Sequence, residues 1–325
     1  MKLYLIDGTY ELFRAHFGIP SRTSPDGREV GATYGIVAST LALLAEPEVT
    51  HIAASFDSVV ESFRNVVFPE YKTGEGIEQD LLDQFSLAER AMKAIGVTVW
   101  SMYDYEADDG LATGARRWVD DVDQVVVMSP DKDLCQIYDD PRIVGYERRG
   151  GTFIDRAAVV EKFGVEPASI PDWLALVGDA ADGLPGLPGW GAKSSGTILA
   201  RYGHLEGIPL DEALWDVKVR GAAKLAATLR DRIGDALLYR YLAQLRTDVP
   251  IPDSLSDLEW KGVPRSRYEA LCDELGFGRL KERPTRWIDC SSQHGWRLRR
   301  DRSLVLEDAH ALGIEDLERG SVDPV

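Results

Sequence analysis

The sequence predicts an α/β fold: a mostly parallel sheet flanked by helices, followed by a helical region. Three observations point there. Short runs rich in Val, Ile, Leu and Ala recur at residues 3–6, 52–56, 97–100 and 125–128 without polar alternation, as expected of strands buried on both faces. Stretches with helical character separate them at residues 32–45, 81–95 and 107–119, which gives a βαβ pattern. Most of the runs also end close to a carboxylate, and in parallel sheets of this kind sites form beyond the carboxyl ends of the strands.

In chain order, the run at 3–6 leads into Asp7, and the run at 52–56 into Asp57. The run at 97–100 is followed by Glu106, Asp108 and Asp109 at the start of a helix, and the run at 125–128 by Asp131 and Asp133. Residues 143–146 and 152–154 flank Gly150-Gly151 and read as a hairpin. The layer is expected to end near residue 168, giving a first domain of residues 1–168.

Residues 171–203 have a different character: a short apolar helix, a Gly/Pro-rich hairpin carrying Asp179 and Asp182, and a second helix from about 192. Its turn contains Gly189 and Gly191, where glycine lets a ligand approach the backbone closely. The amides that follow at a helix N-terminus, through Ser194, form a natural phosphate seat, and Lys193 adds charge. Helices are expected to continue to about 245, which sets off residues 169–250 as a second region and 251–325 as a C-terminal extension. Within that extension Arg283, Arg286, Arg297, Arg299, Arg300 and Arg302 accompany Trp287 and Trp296. Such a stretch suits a nucleic-acid backbone, and equally a solvated face with its tryptophans packed on the body.

The net charge of −17 argues against a broadly basic nucleic-acid binder, so any DNA contact must be local. Three cysteines, Cys135, Cys272 and Cys290, form no paired motif and suit a reducing interior better than a disulfide framework. The most apolar window, residues 35–45, is too short to span a bilayer, and a cytoplasmic protein is expected.

The acids carry the chemistry. If Asp7, Asp57, Glu106, Asp108, Asp109, Asp131, Asp133, Asp179 and Asp182 converge, they cannot all remain ionised without a cation. Two unit charges about 4 Å apart repel by roughly 4 kcal/mol at an effective dielectric near 20. An all-carboxylate set without His or Cys favours Mg²⁺ or Mn²⁺ over Zn²⁺. Two such ions would stabilise the attacking and leaving oxygens of a phosphodiester. A lone Asp after a strand is ordinarily a turn residue or a helix N-cap; five groups at successive strand ends are more than turn chemistry requires.

These residues resemble the structure-specific 5′ nucleases, most closely the 5′–3′ exonuclease domain of bacterial DNA polymerase I and the stand-alone flap endonucleases. The resemblance covers most of residues 1–250. It rests on Leu5-Ile6-Asp7-Gly8 with Arg14, Phe56-Asp57 with Ser62-Phe63-Arg64, Tyr71-Lys72, and Tyr105-Glu106-Ala107-Asp108-Asp109. It continues through Asp131-Lys132-Asp133-Leu134, Gly178-Asp179 to Lys193, and Arg246-Thr247-Asp248. It implies a helix–two-turn–helix element at 171–203 that grips duplex DNA, with a K⁺ ion held by backbone carbonyls, and two or up to three divalent ions on the carboxylates. By position, Asp57, Glu106 and Asp108 would lie nearest one ion and Asp131, Asp133 and Asp179 nearest a second. Asp7 would bridge or hold water, and Asp109 and Asp182 would be outer ligands. Arg14 and Arg64 would join the catalytic set. Lys72 resembles the phosphate-contacting lysine of the family's arch, a region spanning about 70–95 here, and Tyr71 is expected to stack on an unpaired base. The partner is then DNA with 5′ ends, flaps or junctions, with an RNA–DNA hybrid an alternative, and the protein a nucleoid-associated monomer.

The chain departs from the family pattern at two places. Glu75 stands where a second basic residue is usual, and residues 73–88 carry Glu75, Glu78, Asp80 and Asp83 without a Lys or Arg, which should repel a single-stranded flap. Gly183 stands where relatives commonly carry Asn and should relax a turn. A free-standing nuclease, without a following polymerase domain, is expected. Three rival readings differ in class. A haloacid-dehalogenase phosphatase would need an aspartate nucleophile two residues before Asp7, where Leu5 stands. A catalytically silent tether for branched DNA would be expected to have lost some of the acids. An RNA-cleaving relative would lack the 171–203 element.

Overall fold

The computed structural model describes residues 1–288. The central sheet contains β1 (Lys2–Asp7), β2 (His51–Asp57), β3 (Thr98–Met102), β4 (Gln124–Met128), β5 (Ile143–Glu147) and β6 (Thr152–Ile154), in spatial order β3-β2-β1-β4-β5-β6. The first five are parallel and β6 pairs antiparallel with β5. The chain builds outward from β1 to β3, then crosses back to lay β4 on the other side of β1. The resulting switch point opens a crevice at the carboxyl ends of β1 and β4, where Asp7 and the segment after Met128 lie.

Alternate strand residues feed two cores, which is why the runs are apolar throughout. Leu3, Leu5, Ala53, Val125 and Val127 face a cluster that includes Leu111, Ala112 and Ala115 of α6 (Ala107–Trp118). Tyr4, Ile6, Ile52, Ala54, Val126 and Met128 face the opposite cluster, built with α1 (Gly8–Gly18) and α2 (Gly31–Leu44). Helix α1 carries no clear apolar stripe because Glu11 is itself buried beside Leu12 and Ala15. The helix expected over 81–95 is two pieces, α4 (Gln79–Leu82) and α5 (Phe85–Ala94). Gln84, at the break, is buried and accepts from both the backbone N–H and the hydroxyl of Thr33, at 3.0 and 3.1 Å. The short α3 (Phe63–Val67) lies between β2 and α4.

After α7 (Arg156–Phe163) comes the helical region: α8 (Ile170–Val177), α9 (Ala192–Tyr202), α10 (Ala222–Asp231) and α11 (Ile233–Ala243). Between α8 and α9 the chain folds back on itself, with Asp179 and Leu184 exchanging backbone hydrogen bonds at 2.8 Å.

Residues 251–288 return to the first layer. Trp260 donates its backbone N–H to Thr50 and its indole N–H to the Ile95 carbonyl, and the Trp100 indole donates to Asp253 at 3.1 Å. After β7 (Val263–Pro264), helix α12 (Arg265–Leu275) buries Tyr268, Leu271 and Leu275 in the second core, and β8 (Trp287–Ile288) pairs with β7. Trp287 packs on Tyr268 under the Arg265 guanidinium. Cys290, Trp296, Arg297, Arg299, Arg300 and Arg302 lie outside the described residues. Cys135 and Cys272 are buried free thiols. Among the described residues no helix is long and apolar enough to cross a membrane.

Candidate metal centre

Four of the acids, Asp7, Asp57, Asp131 and Asp179, are held near element ends by hydrogen bonds. Asp7 ends β1 and caps α1, accepting from the Tyr10 N–H at 2.8 Å, while its other oxygen accepts from Ser129 Oγ at 2.8 Å. Asp57 ends β2, accepts the Ala107 N–H at 2.8 Å and so caps α6 across the sheet, and donates its own N–H to Thr9 Oγ1. Asp131 accepts the Asp133 N–H at 2.9 Å, and Asp179 the Ala181 N–H at 3.1 Å. The capping role expected of a lone aspartate is therefore present as well, and it fixes the carboxylates at the sheet's carboxyl edge. Sequence reasoning missed Ser129 and Thr9 and gave Ser62, named within its motif, no role, although the hydroxyls of all three orient these acids; small polar residues at strand and helix ends carry no distinguishing signal of their own.

The acids act on one another electrostatically. Burial, with Asp57 and Asp131 nearby, pushes the Asp7 carboxyl up to about 7, and burial with Asp179, Glu106 and Asp131 brings Asp182 to about 7. Burial and neighbouring carboxylates also raise Asp57, Asp108 and Asp133. One oxygen from each of Asp133, Asp179 and Asp182 lies within 4.8 Å of the others. That triad brings Asp182 beside Asp133 and Asp179, the Asp179–Leu184 turn folding it back onto the group, while Asp131 stands against Asp133, whose N–H it accepts. Buried Asp108 Oδ1 and Asp133 Oδ1 have no hydrogen-bond partner. Orphaned carboxylate oxygens in an all-oxygen, strongly acidic pocket fit hard divalent cations.

Cations border the cluster on two sides. The Lys72 ammonium lies 3.1 Å from Glu106 Oε2. Burial opposes its charge, but Asp57, Glu106, Asp182 and Asp108 hold it well above the usual lysine range. Lys132 pairs with Asp179. Burial also works against ionised Glu106, and Arg64 and Lys72 outweigh it, keeping that carboxyl below its ordinary value.

Three expectations are corrected. Tyr71 is 3 % exposed, packed in the first core with its hydroxyl 3.5 Å from Glu106, so it has no free face for a base. Asp109 is fully buried, with its two oxygens taken by Arg64, the Glu106 N–H and the Arg246 N–H, which leaves no room for an ion. Arg64 is 1 % exposed and bonded wholly within the protein, so it cannot touch substrate. Arg14 pairs with Glu11 and lines a cavity of about 690 Å³ between α1 and α2, together with Arg22, Tyr34 and Ser39. Gly189, Gly191 and Lys193 are exposed at the α9 N-terminus, where Ser194 Oγ accepts the Gly191 N–H at 3.1 Å.

Comparison with known proteins gives a consistent result. A family model described as 5′-3′ exonuclease, N-terminal resolvase-like domain, matches residues 2–164, and its companion, 5′-3′ exonuclease, C-terminal SAM fold, matches residues 165–266. DNA polymerase I of Bacillus caldotenax is 35 % identical over 288 residues, covering 87 % of this chain and 32 % of that protein. DNA polymerase I of Mycobacterium leprae is 34 % identical over 287 residues, covering 86 % of this chain and 31 % of that protein. The chain thus spans about a third of the length of these relatives. Among solved structures, the T5 D15 protein co-crystallised with metal ions superposes with a TM-score of 0.61 at 18 % identity, covering 76 % of this chain and 90 % of that one. The catalytic core of Rad2 in complex with DNA substrate gives 0.56 at 13 % identity, covering 85 % and 88 %. At such identities the likeness is one of fold.

Proposed function

The chain belongs to the 5′–3′ exonuclease family, and we propose that it is a divalent-metal-dependent 5′ nuclease hydrolysing phosphodiesters near 5′ ends or junctions of DNA in replication or repair. The carrying observation is the convergence of Asp133, Asp179 and Asp182 beside orphaned oxygens of Asp108 and Asp133 in one buried acidic crevice.

Asp7, Asp57, Glu106, Asp108, Asp131, Asp133, Asp179 and Asp182 would hold two or three ions, Mg²⁺ or Mn²⁺. Such ions would supply a lowered pKa for the attacking water and charge stabilisation of the attacking and leaving oxygens at the scissile phosphate. The residues do the rest. Lys72 places a permanent cation against the same crevice, where it stabilises charge developing on a non-bridging oxygen. Asp57 and Asp7, as caps of α6 and α1, keep the crevice rigid. Residues 169–250 grip duplex DNA: Gly189, Gly191, Lys193 and Ser194 seat a phosphate at the α9 N-terminus, and backbone carbonyls of the helix–two-turn–helix element at 171–203 would hold a K⁺ ion. Residues 1–168, completed by Asp179 and Asp182 from the turn after α8, supply the chemistry. The protein acts as a monomer in the cytoplasm, on the nucleoid.

The test is Mg²⁺- and Mn²⁺-dependent cleavage of 5′-labelled flap, recessed-end and blunt duplexes, beside an Asp131→Asn/Asp133→Asn control. Cleavage by the wild type alone supports the nuclease. Tight junction binding without cleavage under either ion would make the protein a silent branched-DNA tether, and preference for a hybrid strand would move the substrate to RNA–DNA.

A further inference from the structure

Arg64 offers five N–H donors and all five are used. Nε donates to the Leu242 carbonyl at 2.7 Å; Nη1 to Glu106 Oε1 and to Asp109 Oδ2, both at 2.7 Å; Nη2 to Asp109 Oδ1 at 2.8 Å and to the Gln244 carbonyl at 3.0 Å. Leu242 and Gln244 stand at the C-terminal end of α11, which packs against α8, the first helix of the region assigned to duplex binding. Asp109 reaches the same segment by accepting the Arg246 N–H at 2.8 Å. Glu106 Oε1 is occupied by Arg64 and by Ser62 Oγ at 3.0 Å, and Oε2, the oxygen on the crevice side, accepts from Lys72 Nζ at 3.1 Å with the Tyr71 hydroxyl 3.5 Å away.

Resting on the nuclease reading, we propose that Arg64 and Asp109 are positioning residues: a buried fork that ties the end of the duplex-binding region to Glu106 and fixes the one oxygen Glu106 offers to a divalent ion. A salt bridge this deeply buried is a poor source of net stability, because desolvation offsets the attraction. Its geometric specificity is what a lysine or a hydrophobic pair in its place would not supply. Five acceptors drawn from two distant chain segments, the start of α6 and the end of α11, also leave the guanidinium one position, and Glu106 inherits it.

The test reads Mn²⁺ affinity by calorimetric titration of the DNA-free protein, so it does not depend on turnover. Arg64→Lys keeps the charge and loses the fork; Asp109→Asn keeps the shape and loses the charge. Each is expected to weaken Mn²⁺ binding about tenfold, with the double variant no weaker than the worse single one, because the two act as a unit. Duplex affinity measured in Ca²⁺ should stay within about threefold. Multiplied effects in the double variant would make Asp109 an ion ligand in its own right, and unchanged Mn²⁺ affinity in Arg64→Lys would reduce the fork to structure; either overturns the proposal. Should these variants fail to fold, Ser62→Ala, which frees Glu106 Oε1 on one side only, is expected to weaken Mn²⁺ binding about threefold, and no change there counts equally against it. A wild type that binds Mn²⁺ but cuts no DNA would sink the nuclease reading while leaving the fork comparison intact.

Discussion

The backbone N–H of Lys72 donates to the carbonyl oxygen of Asp182 at 3.0 Å, joining the root of the arch segment to the turn that carries the last two acids. Lys72 is the only non-glycine residue with positive φ among the described residues, at 28°, so its placement is imposed by its surroundings. The neighbouring Gly183 makes the contact possible. Its φ is +72°, and a Cβ there would meet the Glu70 carbonyl oxygen at 2.6 Å. Glycine at this position therefore does more than relax a turn: it lets two backbones touch. Gly183→Ala should cost about 1–2 kcal/mol, seen as a lowered melting temperature, and should reduce turnover by displacing Lys72. A variant with lowered stability and wild-type kcat would show that the Lys72 position tolerates the shift.

Lys72 is not a ligand but sits among ligands, and this separates its contribution from theirs. Lys72→Ala should lower kcat by roughly 10²–10³, the scale of losing a preorganised donor to a developing oxyanion. It also removes a positive charge next to Glu106 and Asp57, so divalent-ion affinity should hold or rise. Titrating Mg²⁺ at saturating substrate measures both. A parallel loss of ion affinity would mean that Lys72 orders the carboxylates instead.

The metal-free protein should lose stability as pH rises. Burial and the neighbouring carboxylates push Asp7 and Asp182 up to about 7 in the folded protein, well above the ordinary range of an exposed aspartate. Between the two the unfolded chain releases protons that the folded chain keeps, so stability falls with rising pH and levels off above pH 7. Bound Mg²⁺ should cancel the trend, because it selects the ionised acids. In chelator, the melting temperature should decline by several degrees from pH 5 to 8; in Mg²⁺ the decline should vanish, and Asp7→Asn should flatten it without metal. Equal slopes in wild type and Asp7→Asn would remove Asp7 as a source.

The sheet and most of the acids were legible because their signals are local: an apolar run, then a carboxylate. Asp7, Asp57 and Asp131 could be placed from neighbouring residues alone. Burial of Arg64, Tyr71 and Asp109 could not, since the partners of Arg64 at Leu242 and Gln244 lie far along the chain and a motif match carries no information on exposure. The same limit concealed α1, where a buried Glu11 breaks the apolar pattern, and the packing of α12, whose apolar residues serve a core built from strands at the other end of the sequence.

Substrate preference should follow the charge of the arch. Glu70, Glu75, Glu78, Asp80 and Asp83 are exposed along it, and among the described residues no Lys or Arg pairs with them; the His16 ring lies 3.3 Å from Glu78. The segment is also drawn down onto the body: Tyr71 and Leu81 are buried, and Gln84 is anchored on Thr33. A single-stranded flap would have to pass a low, acidic span, whereas a recessed or blunt 5′ end reaches the crevice without crossing it. Recessed and blunt ends should therefore be cut faster than long flaps, with the gap narrowing in higher salt as the repulsion is screened. Glu75→Lys changes the local charge by two and should raise flap cleavage about three- to tenfold, with little effect on recessed ends. Comparing the two substrates at two salt concentrations decides the matter: a flap rate indifferent to both salt and Glu75→Lys would mean that the height of the arch, not its charge, governs entry.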